Sequence, residues 1–175
     1  MVTLKYKDER DRAYGLGGMI VCMNAMESEK FIDYVCLDGE PDHGMAFTPD
    51  FFHISNQRLS AKAVWNESLN HFQLLTGLMV SNLLSRAMFR SHEGINREII
   101  DLLLTHVSEE GRELCSLEDD EIRNLYNKTL NYFHRLFGSP EVDEVVRRFV
   151  ELITERRRME GEEVIAVLRP LRRWQ

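Results

Sequence analysis

Residues 64–90 read VWNESLNHFQLLTGLMVSNLLSRAMFR, and they belong to a longer region, Asn56 to Arg158, in which apolar side chains recur every three or four residues. This spacing places the apolar side chains on one face of an α-helix. The breaks in the pattern contain glycine, serine and proline, which are common at helix ends. The region therefore predicts a packed set of helices.

Four principal helices follow from this pattern, and we expect them over residues 60–90, 95–111, 116–138 and 139–158. Ser116, with Asp119 three residues on, is expected to cap the third helix. Ser139 and Pro140 supply the cap and the first helical residue of the fourth. A short additional helix is predicted near Asp50 because it follows Thr48 and Pro49, which suit a helix start.

The most apolar part of the first helix, Phe72 to Phe89, is too short and too polar to cross a membrane. It includes Gln73, Asn82 and Arg86 among its eighteen residues, whereas a bilayer needs roughly 20 predominantly apolar ones. A helix that is apolar on more than one face is expected to be the central helix of a bundle or a contact between copies of the chain.

Three shorter apolar runs predict a small sheet. They are residues 19–23, 31–37 and 164–168, each bounded by turn-forming or polar residues. Helices are the alternative for these runs. Pairing of the N-terminal and C-terminal strands would produce a predominantly helical α+β fold with about four main helices, and an all-α fold is the alternative.

The length and composition fit one folded domain. The chain has 175 residues, of which 43% are hydrophobic and 29% charged. We expect a charged, flexible leader over residues 1–13 and a single mostly helical domain over 14–175. The leader lacks the features of a secretory signal. Cys22, Cys36 and Cys115 form no CxxC pair, so we expect free thiols in a cytoplasmic protein.

The C-terminal end is locally basic although the chain has a net charge of -7. Its arginines are Arg147, Arg148, Arg156, Arg157, Arg158, Arg169, Arg172 and Arg173. Together with Trp174 they are a candidate for contacting a nucleic-acid backbone. Glutamates interleave with the arginines at helical spacings, which favours local ion pairs on a solvated helix instead.

The six histidines show no spacing typical of a metal site on one helix. Glu67 and His71 lie one turn apart and are weak candidates for two metal ligands. His92 and Glu93, with Asp101 and His106 further along, are weak candidates for a metal or proton-transfer site. Ordinary surface chemistry at helix faces and helix breaks explains these residues more simply.

Two other segments have a partial resemblance to ligand-binding loops. Asp38, Glu40 and Asp42 alternate like the first ligands of a calcium loop, but His43 and Pro49 stand where the loop needs glycine and a closing glutamate. Residues 15–18, Gly-Leu-Gly-Gly, match no phosphate-binding motif, and a flexible entry into the first strand explains them more simply.

No motif in the chain names a reaction or a cofactor, and its residues resemble no known family. We therefore expect a non-enzymatic protein-interaction or regulatory domain that forms a homo-oligomer. A nucleic-acid-associated protein that uses the C-terminal arginines is the first alternative. An enzyme or metal-binding helical bundle is the second.

Overall fold

The computed structural model describes residues 4–39, 44–52, 60–91 and 95–174, and the structural statements below concern these residues. They form six α-helices and three short strands. The elements are α1 (Glu9–Ala25), β1 (Ile32–Cys36), β2 (Met45–Phe47), α2 (Ala61–Ser85), α3 (Arg97–Cys115), α4 (Asp119–Leu136), α5 (Pro140–Arg156), β3 (Arg158–Glu160) and α6 (Gly161–Leu168). Short 3-10 helices cover Glu29–Phe31, Pro49–Phe52 and Arg169–Trp174.

Helix α2 is the central helix of the fold. It begins after Ser60, whose hydroxyl accepts a hydrogen bond from the Ala63 amide at 3.3 Å. It packs against α1, α3 and α4, and it continues into a π-helix over Arg86–Ser91. The expectation of a central helix over residues 60–90 is confirmed. Within the described ranges, no helix combines the length and the apolar character needed to cross a membrane.

The junction between α3 and α4 differs from the prediction. Helix α3 passes Gly111 and ends at Ser116, which has a left-handed backbone with φ of 52°. Ser116 is therefore not the cap of α4. That role belongs to Glu118, which forms a reciprocal capping box with Glu121. The next junction follows the sequence pattern, because α5 starts with Pro140 directly after Ser139.

Residues 19–23 are helical, so the strand predicted there is wrong and its helix alternative is correct. They lie in α1, which starts after Asp8, whose carboxylate accepts the Asp11 amide at 2.8 Å. Helix α1 contacts α2, α5 and α6 and is buried on nearly every side. A helix buried all round has no polar face, so its sequence lacks the periodic pattern by which helices are recognised.

Residues 164–168 are also helical, and the strand predicted there is wrong. They form the body of α6, which Glu160 and Glu163 start with a second capping box. Val164 and Leu168 are buried against the core. The C-terminal strand lies just before, at β3.

The small sheet is antiparallel with the order β2-β1-β3. The strand predicted at 31–37 is confirmed as β1, where Val35 pairs with Met45 of β2 on one side and with Met159 of β3 on the other. The sheet thus joins an N-terminal segment to a C-terminal one. The predominantly helical α+β class predicted from sequence is confirmed.

Helices α1 and α2 approach each other unusually closely. A Cβ on Gly18 would lie 2.2 Å from the carbonyl oxygen of Ser81, and a Cβ on Gly77 would lie 2.8 Å from the Cys22 sulfur. The hydroxyl of Ser85 donates across this contact to the Tyr14 carbonyl at 2.6 Å. Only glycine fits at position 18, because its neighbour across the crossing is backbone, whereas Gly17 faces the Val146 side chain of α5.

The expected division of the chain at residue 13 stays a prediction. Helix α1 already begins at Glu9, and Asp11 and Arg12 are buried. The last residues of the predicted leader therefore take part in the helical core.

Candidate functional site

A groove of about 770 Å³ lies at the C-terminal end of α1. Helix α2 forms one wall, and Leu114 of α3 and Tyr132 of α4 also line it. Met26, Phe31, Phe51 and Leu74 supply further apolar surface. Its size is typical of ligand sites, and about half of its described lining residues are polar.

Aromatic rings form one side of the groove. Phe51 stacks on Phe47 with ring centres 4.1 Å apart, and its edge meets Phe31 at 6.0 Å. The ring of His71 lies 5.1 Å from that of Phe51. Because Phe51 contacts three other rings, its orientation is well supported.

Two carboxylates line the groove from different elements. Asp50 lies on the 3-10 helix and is exposed, whereas Glu67 lies on α2 one turn before His71 and is half-buried. The Glu67 Oε2 atom is buried and accepts no hydrogen bond from any described residue. Of the described residues that line the groove, none is lysine or arginine. The charged side chains among the described lining residues are therefore both carboxylates.

Glu67 and His71, the predicted pair of metal ligands, do share this groove. Nowhere among the described residues do three histidine, cysteine, aspartate or glutamate side chains come together in a way that would hold a metal. Two ligands one helical turn apart leave most of a coordination shell to water. The described residues of the groove therefore form no complete metal site.

Exposed apolar side chains gather around the groove. The large apolar residues that stand exposed in the described part of the chain are Val64, Trp65, Leu102, Leu114 and Tyr132. Leu114 and Tyr132 line the groove, and the Trp65 indole donates to the carbonyl of Cys115 beside Leu114 at 3.4 Å. Val64 lies one turn before Ser68, which also lines it. We call Val64, Trp65, Leu114 and Tyr132 the apolar rim.

A second cavity, of about 580 Å³, begins on the far side of Tyr132. Val21 and Asn24 of α1, Leu136 of α4 and Leu171 contribute to its lining. Tyr132 therefore stands between two concave surfaces. The apolar surface continues from α2 across the end of α1 to the C-terminal segment.

A buried ion pair lies elsewhere, at the start of α1. Arg86 Nη2 donates to Asp11 Oδ2 at 2.6 Å, and Arg90 Nη1 lies 2.8 Å from Asp11 Oδ1. Burial on its own would raise the pKa of Asp11. Hydrogen bonds from Arg86, the Lys7 amide and Arg90, together with the charge of Arg86, outweigh that effect and lower the pKa.

Groups of the protein itself surround the Arg86 side chain. The Arg86 guanidinium also donates to the carbonyls of Leu4 and Lys5, and the Tyr6 ring lies 4.8 Å from it. Arg86 is 1% exposed, and its charge is matched by Asp11. We infer that these contacts hold residues 4–8 against α2. The only sequence signal for it was an arginine inside an otherwise apolar helix.

Several of the remaining histidine and acidic candidates lie outside the part of the chain that the structure describes. His92 and Glu93 lie outside the described residues, as do Glu40, Asp42, His43 and His53. Asp101 and His106 are exposed on α3. Asp38, the first residue of the predicted calcium-like loop, accepts a hydrogen bond from Arg157 Nη2 at 2.6 Å. That bond occupies the carboxylate with an arginine.

Most of the C-terminal arginines form ion pairs within the chain. Arg147 and Arg148 pair along α5 with Asp143 and Glu151, Arg156 with Glu163, Arg157 with Glu9 and Asp38, and Arg158 with Glu160. Arg169 is exposed, and the side chains of Arg172, Arg173 and Trp174 lie outside the description. The paired arginines offer little unneutralised charge to a phosphate backbone.

All three cysteines are free thiols. Cys22 lies in the tight contact between α1 and α2, and burial raises the pKa of its thiol. Burial also raises the pKa of Cys115. Neither environment favours the thiolate that a catalytic cysteine needs.

Comparison with known proteins adds no relative from which to argue. No family model, no curated protein and no solved structure matches this chain. Inference about function therefore starts from the groove and its apolar rim.

Proposed function

We propose that the protein is a non-enzymatic interaction or regulatory domain that forms a homo-oligomer through the apolar rim of the groove. The observation that carries this proposal is that the exposed side chains of Leu114 and Tyr132 line the groove, while the exposed Trp65 hydrogen-bonds to Cys115 beside Leu114 and the exposed Val64 precedes Trp65 on α2. Exposed apolar patches of this kind are typical of protein-interaction sites. Aromatic residues such as Trp65 and Tyr132 are also enriched in such interfaces.

The residues that support an oligomer contact are different from those that the sequence suggests. The apolar segment 72–89 and the side chains of Phe133 and Phe137 first favour an oligomer contact, but Phe72, Phe133 and Phe137 are all buried inside the monomer. The rim residues are the ones still available to a partner. We therefore assign the contact between copies to the rim.

We further propose that the domain works in the cytoplasm. The three free thiols support this, because secreted proteins usually pair their cysteines.

Light scattering coupled to size-exclusion chromatography tests the proposal. We expect the unaltered protein to elute as a dimer or a larger closed oligomer, and the Leu114→Lys variant to elute as a monomer. Leu102→Lys is a matched control, because Leu102 and Leu114 lie on the same helix and are 47% and 50% exposed.

A strict monomer at every protein concentration would contradict the proposal. Dissociation by both lysine variants would contradict the assignment to the rim, since Leu102 does not line the groove. Circular dichroism of each variant checks that the helical content is unchanged.

A further inference from the structure

We propose that the floor of the groove is a binding site for an organic cation, an ammonium group joined to an apolar body. This goes beyond the rim contact, because it concerns the residues inside the groove: Asp50, Phe51, Glu67, His71 and Tyr132. The argument combines the charge of the lining, its aromatic surface and its size.

The charge of the lining selects a cation. Asp50 and Glu67 line the groove from different elements, and no arginine or lysine is among its described lining residues, although the Lys30 ammonium lies 4.9 Å from the centre of the Phe31 ring that lines it. Glu67 is half-buried and its Oε2 lacks a hydrogen-bond donor among the described residues. A carboxylate removed from water gains more from a nearby positive charge than one in free solution. An ammonium supplies both the charge and the donors.

The aromatic rings select an organic cation over a metal ion. The faces of aromatic rings attract cations through their quadrupole, and they bind alkylammonium groups without the oxygen ligands that metals need. Phe51 and Tyr132 both line the groove with Glu67. Phe31 also lines the groove, and the Lys30 ammonium beside its ring shows the same chemistry within the chain.

The size and the apolar walls select a cation with a hydrophobic body. At about 770 Å³ the groove lies within the range of sites for small organic molecules and is far larger than a hydrated ion requires. Met26, Leu74 and Leu114 provide surface against which a ring or alkyl chain is removed from water.

Calorimetric titration with 2-phenylethylamine tests the site, and 2-phenylethanol serves as the uncharged analogue of nearly the same shape. We expect the amine to bind at least about tenfold more tightly than the alcohol, the factor that corresponds to one charge-assisted contact. The Glu67→Gln variant removes the charge and keeps the shape. It should weaken amine binding about tenfold and leave alcohol binding unchanged.

Glu109→Gln is the matched control for overall charge, because Glu109 is an exposed glutamate on α3 that does not line the groove. It should leave amine binding unaltered. Equal affinity for the amine and the alcohol, no binding of the amine, or an equal loss in the Glu67→Gln and Glu109→Gln variants would each overturn the proposal. Leu114 and Tyr132 belong both to the rim and to the lining of the groove, so light scattering of the Glu67→Gln variant checks separately that its oligomeric state is unchanged.

Discussion

Arg86 and Asp11 form a 2.6 Å ion pair in which both side chains are almost wholly buried, although 75 residues separate them in the sequence. Arg86 comes from the π-helix that ends α2, and Asp11 lies in the first turn of α1. A π-helical turn changes the angular spacing of side chains, and such turns are frequent where side chains need special placement. Here the turn contains both Arg86 and Arg90, which contact the same carboxylate.

Removing the arginine of this pair should be costly. Arg86→Met leaves the Asp11 carboxylate buried with only Arg90 nearby, and loss of one partner of a buried pair typically costs about 3–5 kcal/mol. We expect the free energy of unfolding, measured by urea denaturation, to fall by an amount in that range. Arg112→Met is the control, because Arg112 pairs with Asp119 on the surface and should matter little. Equal effects of the two substitutions would contradict the role of Arg86.

The same pair predicts a loss of stability in acid. The pKa of Asp11 is lower in the folded protein than the roughly 3.9 of an unfolded chain. Its stabilising contribution is therefore complete above the unfolded pKa and is lost as the pH falls through the folded value. In Asp11→Asn this contribution is absent at every pH. Thermal unfolding curves between neutral and strongly acidic pH should show a smaller drop in Tm for the variant than for the unaltered protein, and an identical drop would argue against Asp11.

The close crossing of α1 and α2 predicts that replacing Gly18 with alanine lowers the stability of the protein. Alanine normally stabilises a helix relative to glycine by roughly 0.8–1 kcal/mol. In Gly18→Ala the new methyl group would meet the Ser81 carbonyl at 2.2 Å, so we expect overpacking to destabilise the protein by about 1–3 kcal/mol. Chemical denaturation measures the difference.

Gly17→Ala is the internal comparison for this prediction. A Cβ there would lie 3.0 Å from a methyl group of Val146, a side chain that can adjust, and not against backbone. Gly17→Ala should therefore lower the free energy of unfolding by clearly less than Gly18→Ala. A Gly18→Ala protein more stable than the unaltered one would show that α1 and α2 are not so tightly apposed.

The amphipathic helices are predictable from sequence because each has one apolar face. Helices α3, α4 and α5 repeat buried residues at three and four positions, as in Val142, Val146 and Phe149 of α5. Helix α1 lacks this pattern, since neighbours cover it on nearly every side, and its run at residues 19–23 therefore resembles a strand. Its start signal, Asp8 with Asp11 three residues later, is present in the sequence. The pair Glu160 and Glu163 likewise marks α6.

Only part of the candidate site can be predicted from the sequence. Glu67 and His71 are predictable as neighbours because they lie one helical turn apart on α2. Their association with Asp50, Leu114 and Tyr132 depends on how three other elements pack around α2, and no local pattern encodes that arrangement. Asp11 cannot be predicted as the partner of Arg86 either, because the contact joins the end of one helix to the start of another.

The order of strands in the sheet has a consequence for synthesis on the ribosome. Strand β1 and its partner β2 leave the ribosome close together. The other edge of β1 pairs with β3, which is synthesised more than a hundred residues later. Until then the nascent chain presents an unpaired edge that other extended chains can join. Slow translation of α3 to α5 would prolong that interval, so a chaperone that shields this edge should raise the yield of native protein.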